Sequence, residues 1–380
     1  MKSSFDPISN MLKNYDLCEY CTGRMISKSV GKSPSKFLGK KYIKKFTKYP
    51  NKKCYICKNV FDRLDTTLSS ILEKSSNHNF QTYNLGILVK PSFLERDDYL
   101  KSKYKFKGIE NIKFGIAMEL AKKISKRTNS KRITADPDLF IQVNFKDESC
   151  TLRAKPMFVY GRYNKKIRKL PQKQELCISC NGIGCHNCNF KGKENVVSIE
   201  GKISNFFINK FNANQVKINW IGGEDRSSLV LGNGRPFFAK ILNPKNRNQI
   251  LRKSFDLNGV SLSELKKLSL QPKGTISFKS EVSITIYTKK PISSNQLKKL
   301  KTLENTRIND VSKDKKNTQK QIYKLNYKKL KKNSFILDLI VDGGISIKSF
   351  IQNSDVTPNV SKLLENQCKC MKFDFKNIIV

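Results

Sequence analysis

The sequence contains no long hydrophobic run. Its longest apolar stretch, Phe335 to Val341, is broken by Asp338 and falls far short of the roughly 20 residues that span a bilayer. No basic amphipathic helix stands out, and Met1 to Ser9 carries no secretory signal pattern. The expectation is a soluble cytoplasmic protein with no membrane partner. Acid is scarce as well: 31 Asp and Glu stand against 74 Lys and Arg, a formal net charge of +43. Such a chain repels itself unless it meets a polyanion, and nucleic acid is the commonest one. Charge alone brings no specificity, since many of these lysines belong on solvated helix faces and add only salt-dependent phosphate attraction. Histidine is nearly missing. His78 and His186 are the only two, neither with a second histidine partner, and His186 reads as a solvent-facing turn residue. The hydrophobic fraction of 38% is low, but it includes 23 Phe, and 380 residues are enough for two or three domains with cores of their own.

What is present in excess is cysteine in pairs. Eight of 11 cysteines form four Cys-x-x-Cys units: Cys18/Cys21, Cys54/Cys57, Cys177/Cys180 and Cys185/Cys188. That spacing brings two thiolates to one tetrahedral ion, and two units complete a Cys₄ site, so one or two structural Zn²⁺ ions are expected and no organic cofactor. The first two units are joined by a lysine-rich stretch, Ser27 to Lys53, long enough to fold back. The second two are almost contiguous, with Gly182 and Gly184 permitting tight knuckles. Disulfides do not suit a chain without an export signal, and a redox Cys-x-x-Cys normally occurs once, near a βαβ pattern. An iron–sulfur cluster stays open for the compact second array, because thiolates suit both metals. Cys150, Cys368 and Cys370 read as ordinary buried or partly buried thiols.

Periodicity outlines an α+β, multidomain protein. Phe61, Leu64, Leu68, Ile71 and Leu72 recur at helical spacing, and Tyr83, Leu85, Ile87 and Val89 alternate as a strand. A second helix runs through Ile109 to Ile124, followed by a strand over Leu139 to Phe145 and a return strand ending in Met157 Phe158 Val159 Tyr160 Gly161 Arg162 Tyr163. We therefore expect a cysteine-rich segment at 1–60, a small RNA-binding α/β domain at 61–165 and a basic linker with the second cysteine array at 166–195. Residues 196–380 form the last domain. Within it a helix is expected at Ile199 to Phe207, a helical stretch around Leu262 to Leu268 and a strand at Val282 to Tyr287. The charged stretch Asn305 to Lys332 has little hydrophobicity, and a hairpin is expected to join Phe335–Val341 to Ile345–Ile351 across Asp342 Gly343 Gly344.

The acid pair Glu224 Asp225 lies in a turn-rich segment, Trp220 to Phe237, of this very basic chain. Asp beside Gly is commonly a turn-capping residue; an acid held on a loop in a basic protein also reads as a reacting group presented to a polyanion. Its neighbours favour the second reading. Four blocks in chain order together resemble the archaeal and eukaryotic tRNA pseudouridine synthases that act on the TΨC arm. They are Leu17 to Arg24 with Cys54 to Cys57, Phe158 to Tyr163, the second cysteine array, and Gly223 Glu224 Asp225 with Leu231 to Phe237. A fifth, Gly343 to Lys348 ahead of Thr357 Pro358 Asn359, is similar to the family's final catalytic strand. The resemblance implies an N-terminal RNA-binding region of THUMP type, a C-terminal mixed-sheet synthase domain, and isomerisation of uridine to pseudouridine at positions 54 and 55 of tRNA by a monomer. It implies Asp225 as nucleophile and Lys348 as its basic partner, a cation that would keep the carboxylate ionised. The target base must leave its stack to reach such a group. Substrate or RNA contacts are expected at Tyr160, Arg162, Arg226, Arg235, Val282 and Ser346.

The chain also departs from the family's pattern. Gly223 stands where arginine usually precedes Glu-Asp. Ser227 and Leu229 replace a second acid and a strand arginine, with Arg226 available to supply a cation. Val282 stands where a tyrosine should face the uracil, Ser346 replaces a second tyrosine, and Tyr287 lies on the opposite strand face. Losing a base-stacking aromatic forfeits about 1–3 kcal/mol of base contact. Two other readings follow: a tRNA-binding or tRNA-folding protein on the same scaffold, and a zinc-ribbon nucleic-acid-binding factor.

Overall fold

The structure is a computed structural model and describes residues 6–46, 53–188, 190, 192, 197–272, 274–311, 317–352 and 356–380. The first five residues, the end of the lysine-rich stretch between the first two cysteine pairs, the expected domain boundary at 195/196 and part of the charged stretch 305–332 lie outside the described residues. The chain divides into two compact units, residues 1–155 with 245–247, and residues 156–244 with 248–380.

The first unit is a four-stranded sheet with helices. In chain order its elements are α1 (Pro7–Asn14), α2 (Glu19–Ile26), α3 (Lys36–Phe46), α4 (Leu64–Ser75), β1 (Thr82–Leu88), α5 (Pro91–Lys103), α6 (Ile112–Thr128), β2 (Lys131–Arg132), β3 (Leu139–Asn144) and β4 (Ser149–Ala154). The sheet order is β2-β1-β3-β4, parallel except for the β3–β4 hairpin. The apolar face read from Leu64, Leu68 and Ile71 on α4 packs with Tyr83, Leu85 and Ile87 of β1 in one core. That core also takes in Met11, Met25 and the first four cysteines, so the cysteine-rich segment and the α/β layer share one interior. Helix α5 was not anticipated, although Pro91 opens it and Phe93, Asp97 and Leu100 recur at helical spacing on its buried side.

The second unit is built on an 11-stranded sheet. Its elements are β5 (Met157–Lys165), α7 (Ile199–Phe211), β6 (Gln215–Trp220), β7 (Val230–Leu242), β8 (Ser254–Asp256), β9 (Val260–Leu268), β10 (Lys279–Thr288), α8 (Ser294–Lys298), β11 (Arg307–Val311), β12 (Asn317–Lys331), β13 (Ser334–Asp342), α9 (Ile347–Gln352), β14 (Val356–Thr357), α10 (Val360–Leu363) and β15 (Cys368–Ile379). The strand order is β14-β11-β12-β13-β10-β15-β7-β5-β9-β8, with β6 also paired to β7.

Three expectations change here. The strand Met157–Lys165 does not close the first α/β domain; it pairs with β7 and β9 in the second sheet. The stretch 262–268 is strand, not helix. Opposite Gly161 the β5–β9 register shifts, Glu264 takes a left-handed φ of 52°, and the bulge turns Leu262 and Leu265 to the same side at a helix-like interval. A Cβ on Gly161 would stand 2.4 Å from the Leu265 side chain, so the bulge fits only against glycine. The third change is that Asp342-Gly343-Gly344 does not make a hairpin. The chain turns into α9, whose buried Ile347, Phe350 and Ile351 follow helical spacing, and Lys348 sits on that helix instead of on a strand.

Candidate active site

The loop 221–229 joins β6 to β7 and carries the acid pair, whose two members point in opposite senses. Glu224 is an anchor with a fully buried side chain. The Tyr163 hydroxyl donates to its Oε2 at 3.0 Å, Lys165 Nζ lies 3.1 Å from Oε1, and Arg235 Nε lies 3.5 Å from Oε2. Tyr163 and Lys165 stand two apart on β5 and therefore face the same way. Gln172 donates to the Tyr163 hydroxyl at 2.9 Å and to the Gly222 carbonyl at 3.2 Å, and Lys165 Nζ donates to the Asp225 carbonyl at 3.0 Å. Burial raises the Tyr163 phenol well above its usual range, with the Glu224 charge adding to the effect. Burial lowers the Lys165 ammonium, and Glu224 works against that.

Asp225 turns into a cleft of about 340 Å³. Its Oδ1 accepts from the Ser227 amide at 2.9 Å and the Ser227 hydroxyl at 2.5 Å, and its Oδ2 accepts from Lys348 Nζ at 2.6 Å. Turn-capping and presentation to a ligand thus coexist in one residue. Burial by itself would raise this carboxyl, but the Lys348 ammonium and the Ser227 donors outweigh it and hold the pKa at about 2. The far end of the loop is clamped from β15. Arg168 bridges the Ser227 carbonyl and both Asp374 carboxylate oxygens, at 2.6, 2.8 and 2.8 Å, and Asp374 also accepts from the Leu229 amide at 2.9 Å.

The cleft brings together Asp225, Lys348, Arg235, Val282 and Ser346. Val282 is fully buried in its wall, and Ser346 is exposed at its edge. The rings that line it are Phe278, Phe373 and Phe375. None of these was singled out from sequence, though the Phe373-x-Phe375 alternation on β15 was a readable signal. Two of the expected RNA contacts are engaged within the protein. Arg235 is fully buried, pairing with Glu224 and lying 4.5 Å over the Phe375 ring. Arg162 is 8% exposed and donates to the Gly234 and Ile378 carbonyls at 2.8 and 3.1 Å. Both brace the sheet, Arg235 from the wall of the Asp225 cleft. Arg226 is exposed and lies 3.6 Å from Glu175, so Lys348, not Arg226, is the cation on Asp225. Tyr160 packs against Phe238 at 5.5 Å between ring centres and does not line the cleft.

The paired cysteines assemble into two tetrads, Cys18/Cys21/Cys54/Cys57 and Cys177/Cys180/Cys185/Cys188, each with its four sulfurs within 4.8 Å of one another. Tetrahedral sulfurs at a zinc–sulfur distance of about 2.3 Å stand about 3.8 Å apart. The observed Cys18–Cys57, Cys180–Cys188 and Cys177–Cys185 separations are 3.6, 3.8 and 3.9 Å. In the second tetrad the amides of Gly184 and Gly192 donate to the sulfurs of Cys180 and Cys188 at 3.2 Å, as thiolate ligands require. Donor set and spacing fit a tetrahedral metal ion in both places. His186 joins neither tetrad; it is exposed and packs on Phe190.

Comparison with known proteins decides the family. The model for "Pus10, C-terminal" matches residues 158–378, and the model for "Pus10 THUMP domain, archaeal" matches residues 68–144. The chain belongs to the Pus10 family of tRNA pseudouridine synthases. A relative named tRNA pseudouridine synthase Pus10 from Nitrosopumilus maritimus is 41% identical over 98% of both chains. The like-named protein of Cenarchaeum symbiosum is 30% identical over 97% of this chain and 91% of its own. Among solved structures, a Cbf5-Nop10-Gar1 complex aligns with a TM-score of 0.30 and 10% identity over 46% of this chain and 44% of that one, too slight a likeness to bear on the fold. Family membership makes the chain an enzyme, an isomerase of RNA uridine with a THUMP region, and the match from residue 158 starts within β5, the strand that opens the second sheet. Among the described residues no helix is long and apolar enough to cross a membrane.

Proposed function

We propose that the chain converts uridine to pseudouridine at positions 54 and 55 in the TΨC loop of tRNA, with Asp225 as nucleophile. The observation that carries this reading is the Lys348–Asp225 pair, closed at 2.6 Å inside an aromatic-lined cleft and keeping the carboxylate ionised. In the reaction the bond between N1 of the base and C1′ of the ribose breaks while the carboxylate engages the substrate. The base reorients within the cleft, C5 bonds to C1′, the C5 proton leaves, and N1 ends protonated. Atoms and electrons balance without an oxidant or an organic cofactor. The cleft's task is to hold a detached base, and Phe278, Phe373 and Phe375 offer the ring surface that Val282 does not. A flipped nucleotide is required, since the reacting bond of a stacked and paired uridine lies within the duplex.

Each cysteine tetrad holds one structural Zn²⁺ in this reading, fastening Cys18/Cys21 to Cys54/Cys57 and shaping the knuckles around Cys177 to Cys188. The ions would supply folding free energy and no step of the isomerisation. The test is incubation with unmodified tRNA followed by chemical mapping of pseudouridine. Formation at 54 or 55 is expected; modification only elsewhere would overturn the site assignment, and no product would overturn the reading.

A further inference from the structure

We infer that the second unit holds a second nucleotide subsite, back to back with the Asp225 cleft, that takes the nucleotide adjoining the reacting uridine in the RNA chain. The inference rests on the uridine-isomerising reading of that cleft. A cavity of about 870 Å³ lies beside it, near the top of the roughly 300–1,000 Å³ range of ligand pockets, whereas the Asp225 cleft at about 340 Å³ lies near the bottom and has room for one nucleotide. The two share a wall. Phe278 lines both; Gly222 and Gly343 line the larger, and their successors Gly223 and Gly344 line the smaller. The wall is one ring thick and tightly held: a Cβ at either Gly222 or Gly343 would stand 2.3 Å from the Phe278 ring, and the Gly343 amide donates to the Phe278 carbonyl at 2.7 Å. An RNA strand whose target base enters one side therefore has its neighbour's base and phosphate beside the other.

The lining suits that occupant. Ile218, Trp220 and Ile276 provide apolar and aromatic surface for a base. Lys173, which is exposed, and Lys320 provide cations for phosphate. Among the described residues Asp342 is the one acid in the lining, and both its oxygens are already engaged, by the Gln321 amide at 2.8 Å and the Tyr323 hydroxyl at 2.9 Å. The net charge of the described lining is positive, and the cavity volume admits an unstacked nucleotide.

The test uses tRNA in which the nucleotide 5′ or 3′ of the target uridine is replaced by an abasic one. For the wild-type protein, one of the two replacements should raise KM about tenfold while kcat stays within twofold, as loss of one stacked base predicts. Thr275→Trp and Ser277→Trp, both exposed lining positions, fill the cavity independently. With either variant intact and abasic RNA should have equal KM, both near the wild-type value for abasic RNA. A wild-type KM unchanged within twofold by either abasic replacement, or a penalty that persists undiminished in a folded filling variant, would overturn the subsite. The same comparison is read as Kd with Asp225→Asn protein. A penalty seen in that Kd, together with no pseudouridine formed by the wild-type protein, would leave the subsite standing and remove the catalytic reading alone.

Discussion

At the residue scale, Glu224 and Asp225 are adjacent acids with different environments. Glu224 is enclosed by Tyr163, Lys165 and Arg235, and Asp225 meets the cleft through Lys348 and Ser227. Replacing Asp225 with Asn should lower kcat roughly 10⁴-fold or more, the scale on which removal of a nucleophile acts, while tRNA affinity in a filter-binding assay is kept. The pH dependence follows from the depressed Asp225 pKa. A folded value of about 2 against an ordinary 3.8 means that the pairing contributes stability above about pH 4, lost as pH falls through 2. Lys348→Met removes the cation and leaves only the two Ser227 donors to oppose burial, so the acid limb of the kcat/KM profile should move up by about 1 pH unit or more. An unchanged acid limb would assign the ionisation to another group.

At the element scale, the loop between β6 and β7 owes its shape to a buried ion-pair cluster supplied by β5 and β7. Lys165→Met leaves the Glu224 carboxylate short of a partner and the Asp225 carbonyl with only its Ser228 donors, and should cost about 3 kcal/mol in urea unfolding; Glu224→Gln in the same chain should return part of that. Much of this was legible in the sequence and some was not, for identifiable reasons. The period-2 runs at Tyr83–Val89, Leu139–Phe145 and Val282–Tyr287 became β1, β3 and β10, because each has one face buried and alternation is then obligatory. Strand β9 was hidden by its bulge, which shifts the parity of Leu262 and Leu265. Strands β11 and β12 were hidden by lysine and polar residues on open faces: of β12, Ile322 and Leu325 are buried while most neighbours are exposed. Helix α9 was misread because a strong Asp-Gly turn signal outweighed the helical spacing of Ile347, Phe350 and Ile351. In the site, Asp225 and Lys348 were legible from the family motif. Tyr163, Lys165 and Gln172 were not assigned roles, since their importance comes from burial around Glu224, which no local pattern encodes.

At the scale of the whole molecule, the charge of +43 and the two cysteine tetrads make separable demands. Apparent tRNA affinity should fall steeply with salt, log Kd against log salt having a slope set by the number of phosphates engaged. Lys173→Glu should weaken binding and lower that slope by about one. Metal analysis should find two zinc ions per chain, and a chelator strong enough to strip both should lower the melting temperature before any change in the loop is seen by activity. One consequence of the Asp374 clamp concerns the order in which the enzyme is made. Leu229 and Asp374 are separated by 145 residues, and Asp225 and Lys348 by 123. A nascent chain therefore displays its RNA-attracting surface well before its acid meets its cation and its loop is fastened. Arrival of β15 converts a binder of RNA into a modifier of it, so translation arrested ahead of Asp374 would yield a protein that occupies tRNA without altering it.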